Sequence, residues 1–378
     1  MTETAELLAA LIAIDSVNPD LVPGGAGESA IADACTRWLA ERGFEVDRLE
    51  ERAGRPSIVA VHRGSGDGRT IMLNGHLDTV TLAGYDGDPL APEVRDGRLY
   101  GRGGYDMKGG IAAMMVAAHR ASQHAHSGDI MLALVADEEF ASAGTEEVLR
   151  HYTADGAIVV EPSELEVTIA HRGFVWLEVA VEGVAAHGSR PDLGVDAIAM
   201  AGRFLNGLAD HAEALLAGQA HPTLGTGSIH ASTIVGGEEL SSYPARCVIG
   251  IERRTVPGET GESVESELTA ILEAVAAADP RFRYRVTRGL EREPFDAPRE
   301  SAVVQSLLRQ VERVTDAPPV LRGEPFWTDC ALLADAGIPA VLFGVAGGGA
   351  HAAVEWVDLA SLEVVTDVLE GTIVEFCA

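Results

Sequence analysis

The sequence has little positive charge. Lysine and arginine together number 28, against 58 aspartate and glutamate residues, which gives a net charge of −30. Phosphate backbones and anionic lipid headgroups are repelled by such a chain, so we expect neither a nucleic-acid nor a membrane partner. Lys108 is the only lysine. It lies inside a glycine-rich motif, and we expect it to have a structural rather than a catalytic role.

Long apolar runs and clustered cysteines are also missing. No apolar run reaches the roughly 18 residues that a membrane-spanning helix needs. The N-terminal stretch MTETAELLAALIAIDSVNP has acids where a secretory signal has bases, and its leucines fall at helical spacing. The four cysteines are dispersed, without a CxxC pair. These features predict a cytoplasmic protein without a thiolate metal site.

Short apolar runs alternate with helical patterns in the outer parts of the chain. The runs end in polar clusters and are SIVAVHRG at 57–64, TIMLNGHLD at 70–78, DIMLALVADEE at 129–139, GAIVVEP at 156–162 and PAVLFGV at 339–345. Between two of them, the stretch from Gly109 has Ile111, Met114, Met115 and Ala118 on one helical stripe. Buried strands alternating with helices predict an α/β domain with a mainly parallel sheet.

The middle of the chain has a different pattern. FVWLEVAVEG alternates apolar and polar residues, and the segments after it have the order β-α-β-β-α-β, typical of a two-layer α+β unit. We therefore predict an inserted domain at 174–290. The α/β domain would then comprise residues 1–173 and 291–378.

Metal-ligating side chains gather at the predicted ends of strands and at one helix start. They are His76, Asp78, Asp106, Glu138, Glu139, Glu161 and His351. Each of these acids taken alone could be an ordinary cap or turn residue. Together they lie where an α/β sheet places its ligands, beyond the carboxyl ends of the strands. Two histidines and several carboxylates suit a pair of divalent metals, most naturally zinc, that share one carboxylate, with cobalt and manganese as alternatives.

Eight motifs resemble those of the M20 metallopeptidases, a family that includes acetylornithine deacetylase, succinyl-diaminopimelate desuccinylase, aminoacylase-1 and carboxypeptidase G2. In chain order they are GHLDTV, GRGGYDMKGG, DEE, EPSE, AAHGSRPDLGVDAI, ERRTVPGE, TDCALLADAGIPAVLFG and AHAAVEW. They extend over most of the chain. The resemblance implies a zinc-hydrolase fold whose inserted domain carries dimer contacts and closes over the active site.

The resemblance also implies roles for single residues. His76 and Glu161 would hold one metal, Glu139 and His351 the other, and Asp106 would bridge the two. Asp78 would orient His76, and Glu138 would be the general base for a water that bridges the metals.

Two residues of the inserted domain acquire roles in the same way. His187 would reach the substrate carbonyl, usually in the partner subunit's site, and Arg254 would bind the substrate carboxylate. Simpler alternatives are a loop position for His187 and a surface ion pair between Arg254 and Glu252. Glu252 and Asp196 stand where the family often has Asp and Asn.

The expected activity is hydrolysis of the amide bond in an N-acyl amino acid, a small molecule with a free carboxylate, by a homodimer joined through the inserted domain. An exopeptidase or dipeptidase of the same family is the first alternative. A non-catalytic metal-binding or regulatory protein on this fold is the second, but no ligand position of the motifs is missing.

Overall fold

The computed structural model describes all residues from Met1 to Ala378 and divides the chain into two units. The first unit comprises residues 1–169, 297–322 and 328–378, and the second comprises 170–296 with 323–327. The predicted boundaries at 174 and 290 lie inside the second unit. The short return of the chain at 323–327 had no signal in the apolar pattern, because it consists of the last two residues of a four-residue strand and three irregular residues after it.

The helices and strands follow the chain in this order. The helices are α1 (Glu3–Ile12), α2 (Ser29–Ala40), α3 (Gly109–Ser122), α4 (Ala143–Leu149), α5 (Ala197–Leu216), α6 (Gly261–Ala278), α7 (Ala302–Thr315), α8 (Cys330–Asp335) and α9 (Leu359–Phe376). The strands are β1 (Glu45–Leu49), β2 (Ser57–His62), β3 (Ile71–His76), β4 (Glu93–Arg95), β5 (Arg98–Tyr100), β6 (Ile130–Val135), β7 (Gly156–Val159), β8 (Val167–His171), β9 (Gly173–Glu182), β10 (Ser228–Gly236), β11 (Arg246–Thr255), β12 (Arg283–Arg292), β13 (Phe295–Asp296), β14 (Leu321–Glu324), β15 (Ala340–Leu342), β16 (Gly347–Gly348) and β17 (Trp356–Asp358).

The large sheet of the first unit has the order β1-β2-β6-β3-β7-β15-β8. All five predicted apolar runs form strands of it, which confirms the α/β class. Only the middle is parallel: β6, β3, β7 and β15 run in one direction, whereas β2 pairs with β6 and β8 pairs with β15 in antiparallel fashion. The sheet is therefore mixed rather than mainly parallel, because an apolar run shows that a strand is buried but not its direction.

Helix α3 is the most deeply buried helix of the first unit. The predicted helix is confirmed and its apolar stripe is buried, but every residue from Gly109 to Ala118 is buried as well, so the packed surface extends around the helix. The helix packs against α1, α9 and β6. Small residues such as Gly110 and Ala113 permit this close packing on several sides.

A small antiparallel sheet has no counterpart in the sequence prediction. Its strands are β16, β17, β5 and β4, each only two or three residues long. Pairing of β17 with β5 brings the loop after Tyr100 beside the loop before Trp356. These two loops carry Asp106 and His351.

The second unit has the predicted β-α-β-β-α-β order, from β9 to β12. Its antiparallel sheet has the strand order β10-β11-β9-β12, and α5 and α6 pack on one face. The apolar positions of β9, from Val175 to Val181 at every second residue, form the core beneath these helices. The opposite face of β9 carries Phe174, Trp176 and Glu178.

No helix in the chain combines the length and the apolar character that crossing a membrane requires.

Candidate metal centre

Three parallel strands place the first group of acidic and histidine side chains. His76 is the last residue of β3, and its neighbours in register end at Val135 on β6 and Val159 on β7. The chain continues from β6 into Glu138 and Glu139, and from β7 into Glu161. Because parallel strands end at the same edge of the sheet, these residues meet there, as the sequence predicted.

His76 lies at the centre of the cluster. Its Nε2 is 3.2 Å from Oδ1 of Asp106, 3.4 Å from Oε1 of Glu161 and 3.9 Å from Oε2 of Glu138. The opposite ring nitrogen, Nδ1, donates a hydrogen bond to the backbone carbonyl of Asp78 at 2.9 Å. This bond fixes the orientation of the ring so that Nε2 faces the acids, from where it could bind a cation.

Asp106 joins two groups of ligands. Its second oxygen, Oδ2, is 3.2 Å from Nε2 of His351, and the same nitrogen is 3.1 Å from Oε2 of Glu139. One carboxylate therefore contacts both imidazoles through different oxygens. His351 has a left-handed backbone (φ 61°), and its side chain is 54% exposed, so it lies at the open side of the cluster.

Asp78 contacts His76 through its backbone and the glutamate pair through its carboxylate. Its Oδ1 is 3.7 Å from Nδ1 of His76, too far for a hydrogen bond, so the backbone carbonyl rather than the carboxylate orients the ring. The carboxylate instead accepts the backbone N–H groups of Glu138 and Glu139, at 3.2 and 3.1 Å. Asp78 therefore fixes the glutamate pair as well as the histidine.

Asn18 and Arg55 support this arrangement, and sequence analysis did not identify either of them. Nδ2 of Asn18 donates to Asp78 at 2.7 Å and to Asp137 at 3.1 Å. Asp137 also accepts from Nη2 of Arg55 at 2.9 Å, and Arg55 is held by both oxygens of Glu28. All of these groups are buried. Their distance in sequence, about 120 residues between Asn18 and Asp137, left no local signal.

A second buried pair holds the loops of Asp106 and His351. Glu355 accepts the backbone N–H groups of Gly103, Tyr105 and Asp106 and forms an ion pair with Arg102 at 2.8 Å. Arg102 also donates to the carbonyl of Ala352, next to His351. Glu355 and Arg102 thus hold the loops of Asp106 and His351 together.

Lys108 has the structural role that we expected. Its Nζ is buried and donates to the carbonyl of Ile14 at 2.8 Å. Burial lowers the pKa of Lys108 to about 8.

The cluster concentrates acids that resist ionisation. Burial raises the pKa of Glu138 and of Glu161, and it raises the pKa of Glu139 to about 7. Burial also opposes ionisation of Asp106, but hydrogen bonds from His351 and His76 hold its pKa below the usual range. The hydrogen bonds that His351 makes to Asp106 and Glu139 raise the pKa of His351 to about 10.

The donor set fits a pair of divalent cations. Two groups of three residues each bring one ligand atom apiece to within 4.8 Å of one another: His76, Asp106 and Glu139, and His76, Glu138 and Glu161. Oε1 of Glu139 is buried without a hydrogen-bond partner, which a coordinated cation would resolve. Imidazole nitrogens and carboxylate oxygens are donors that zinc, cobalt and manganese accept. The second group includes Glu138, but Oε2 of Glu138 is 3.9 Å from Nε2 of His76, farther than Asp106 at 3.2 Å or Glu161 at 3.4 Å, so its role as the base stays a prediction.

Asp329 is a further buried acid at the cluster. It follows the PFWT stretch, and its Oδ2 accepts from the hydroxyl of Thr145 at 2.6 Å, whereas Oδ1 has no partner. Burial raises the pKa of Asp329 to about 6. Its motif was identified from the sequence, but the residue itself was not.

His187 and Arg254 belong to the second unit. Nδ1 of His187 lies 2.8 Å from the hydroxyl of Ser189, and the residue is exposed in a loop. Arg254 forms the ion pair with Glu252, Nε to Oε1 at 2.6 Å, that was the simpler alternative. Their roles toward a substrate stay predictions.

Comparisons with known proteins agree with this geometry. The family model described as Peptidase family M20/M25/M40 matches residues 72–375. An acetylornithine deacetylase of Myxococcus xanthus is 31% identical over 359 residues, covering 92% of both chains. A deformylase of Bacillus subtilis that acts on N-formyl-4-amino-5-aminomethyl-2-methylpyrimidine is 28% identical and covers 90% of this chain and 88% of its own.

Solved structures share the fold over the whole chain. The aminopeptidase PepT of Bacillus cereus superposes with a TM-score of 0.83 at 21% identity, covering 100% of this chain and 98% of its own. A dinuclear metal-binding peptidase of the M20 family from Bacillus subtilis has a TM-score of 0.76 at 16% identity, with coverage of 99% and 97%.

Proposed function

Because the chain belongs to peptidase family M20/M25/M40 and is a metal-dependent enzyme that acts on amide bonds, we propose that it removes the acyl group from an N-acyl amino acid. The observation that carries this proposal is the position of Asp106, whose two oxygens contact two imidazoles while Glu138 remains close by. Relatives that are deacylases, including the Myxococcus xanthus acetylornithine deacetylase, support the choice of an acyl group.

Two divalent cations, proposed to be zinc, would be held by the cluster. His76 and Glu161 would hold one, His351 and Glu139 the other, and Asp106 would contribute one oxygen to each. When bound, such a pair lowers the pKa of a shared water and polarises the substrate carbonyl.

Glu138 is proposed to move the proton. Its carboxylate lies at the edge of the cluster, and its backbone N–H is held by Asp78. Burial raises its pKa, which suits a group that must first accept a proton and then release it. Glu138 would take the proton of the attacking water and return it to the leaving amine.

His187 and Arg254 are proposed to bind the substrate. His187 would donate from Nε2 to the carbonyl oxygen as negative charge develops there, since its Nδ1 is bonded to Ser189. Arg254 would bind the free carboxylate, because a guanidinium can donate two parallel hydrogen bonds to a carboxylate.

We also propose a cytoplasmic homodimer joined through the second unit. The edge strand β10 supports this, because Ile234 and Val235 on it are 54% and 71% exposed.

If His187 acts in the partner's site, mixed dimers of a His187→Ala chain and a Glu138→Gln chain should recover activity. Absence of recovery, with mixed dimers verified by mass, would place both residues in a single chain's site.

A substrate panel tests the function. Zinc-loaded protein should hydrolyse N-acetyl and longer N-acyl amino acids that have a free carboxylate, and it should not hydrolyse their amides at a comparable rate. Hydrolysis of dipeptides or tripeptides with higher kcat/KM than every N-acyl amino acid would support the exopeptidase alternative, which the fold of PepT favours. No turnover of either class by protein with two bound cations would contradict the proposal.

A further inference from the structure

Aromatic residues are scarce in this chain but gather on one face of the second unit. Phenylalanine, tryptophan and tyrosine make up only 5% of the sequence, and there are four tryptophans. Two of these, Trp176 and Trp327, lie beside Phe174. We refer to Phe174, Trp176 and Trp327 as the aromatic patch.

Strand alternation places the patch away from the core. Val175 and Leu177 of β9 point into the core beneath α5 and α6, so Phe174 and Trp176 point to the opposite face of the sheet. The ring centroids of Phe174 and Trp176 are 5.3 Å apart. Trp327 meets Phe174 edge-on at 6.4 Å, and its Nε1 donates to the carbonyl of Glu293. The patch is therefore built from fixed rings.

The patch is not fully covered by the protein. Trp176 is 45% exposed, and no helix packs on its face of the sheet. Gly289 of the neighbouring strand β12 lies beside Trp176, where an added Cβ would be 3.4 Å from the Trp176 carbonyl oxygen, so no side chain there covers the ring. A tryptophan that is nearly half exposed in a fixed aromatic group offers a ring face on which an aromatic ligand can stack.

Arg254 borders the patch and has donors to spare. It is paired with Phe174 in register across β11 and β9, and its guanidinium carbon is 5.5 Å from the Phe174 ring centroid. Its ion pair with Glu252 is made through Nε, and Nη1 and Nη2 make no hydrogen bond within the chain. These terminal nitrogens can still bind a carboxylate from outside.

We propose that the aromatic patch binds an aromatic ring carried by the substrate, so that the enzyme prefers N-acyl aromatic amino acids such as N-acyl phenylalanine. This rests on the proposed function, because the ring must belong to the molecule whose carboxylate Arg254 binds. In an N-acyl aromatic amino acid, only a few bonds separate the carboxylate from the ring. This spacing matches the Arg254 guanidinium, which lies beside the rings of the aromatic patch.

A second guanidinium borders the patch. Arg292 lies opposite Phe174 on the other neighbouring strand, and its guanidinium is 5.7 Å from the Trp327 ring. The rings therefore lie between two guanidinium groups, and a neutral aromatic ring of the substrate would stack on them. The preference should therefore differ from that of a deacetylase for ornithine derivatives.

The experiment compares kcat/KM for N-acetyl phenylalanine, N-acetyl alanine and N-acetyl ornithine. We expect phenylalanine to be the best substrate by about tenfold or more, because ring stacking alone contributes about three- to tenfold per pair. Trp176→Ala should remove most of that preference by raising KM for N-acetyl phenylalanine. Trp176→Phe should retain the preference.

Trp38→Phe is the matched control, because Trp38 is a tryptophan of α2 in the first unit and stacks only on Arg42 and His119. This substitution should leave kcat/KM unchanged for all three N-acetyl amino acids. If N-acetyl alanine or N-acetyl ornithine is hydrolysed as well as N-acetyl phenylalanine, the aromatic preference is wrong but the deacylase assignment stands. If none of the three is hydrolysed by protein with two bound cations, the proposed function itself fails.

Discussion

At the residue scale, Asp78 holds the backbone of Glu138 and Glu139 in place. Its carboxylate is buried and accepts from the backbones of Glu138 and Glu139 and from the side chain of Asn18. The sequence predicted that Asp78 supports the metal centre, since it lies two residues after His76. The Asp78 carboxylate bonds to Glu138 and Glu139 because of the turn that the chain makes after β6. The spacing of residues in the sequence does not predict that turn.

Asn18 should act as a positioning residue. In Asn18→Ala, Asp78 and Asp137 each lose one charge-assisted hydrogen bond, about 1.5–3 kcal/mol apiece when made to a charged group. We expect kcat to fall by about tenfold or more, while KM and the bound-metal content stay close to wild type. Steady-state kinetics with metal analysis measures this, and Asn206→Ala, at an exposed position of α5, is the matched control. Loss of metal together with kcat would show instead that Asn18 maintains the metal ligands.

Glu138→Gln distinguishes a base from a ligand at that position. The substitution preserves size but removes the group that accepts a proton, so we expect kcat to fall by about 10²–10⁴-fold with two cations still bound. Elemental analysis and kcat for the same preparation measure both quantities. Retention of wild-type kcat, or loss of a cation, would remove Glu138 from the role of base.

At the element scale, the centre is built by the parallel middle of a mixed sheet. The apolar runs of β3, β6 and β7 were long enough to be predicted, and with them the edge where His76, Glu138 and Glu161 meet. The small sheet of β4, β5, β16 and β17 could not be predicted, because two- and three-residue strands have no periodicity. The support that Glu355 gives Asp106 was therefore missed.

The close packing of α3 on the end of β7 gives a stability prediction. A Cβ at Gly110 would lie 2.0 Å from the carbonyl oxygen of Val160, so Gly110→Ala must displace the helix. We expect a loss of about 1–3 kcal/mol, typical of an overpacked core, read as a lower Tm in calorimetry.

Gly202 of α5 provides the matched control for that substitution. A Cβ there would meet no atom within 4 Å, so Gly202→Ala should gain about 0.5–1 kcal/mol from helix propensity. Equal changes in Tm for both variants would contradict the packing of α3 described above.

At the scale of the whole molecule, acidic residues give the chain its net charge, and several of them gather at the candidate metal centre. The net charge of −30 follows from the composition alone, whereas the convergence of acids from four separate segments requires the fold. The division at residues 170 and 296 also follows the fold, and the alternation of β9 predicted most of it. The aromatic patch could not be predicted, because Trp327 joins Phe174 from a segment about 150 residues away.

Removal of cations should destabilise the protein. A ligand that binds only the folded chain adds about 2.7 kcal/mol at a free concentration 100 times its Kd. Treatment with a chelator should therefore lower Tm, and added zinc should restore it. In His351→Ala, the difference in Tm between the chelated and the zinc-loaded protein should be smaller than in the wild type. A Tm that is the same with and without chelator would argue against a metal centre.

The central claim is that Asp106 bridges two cations, and anomalous diffraction from zinc-loaded crystals at the zinc absorption edge tests it most directly. We predict two peaks in each chain, one contacted by His76 and Glu161 and the other by His351 and Glu139, with one oxygen of Asp106 on each. A single peak, or peaks outside these side chains, would contradict the account.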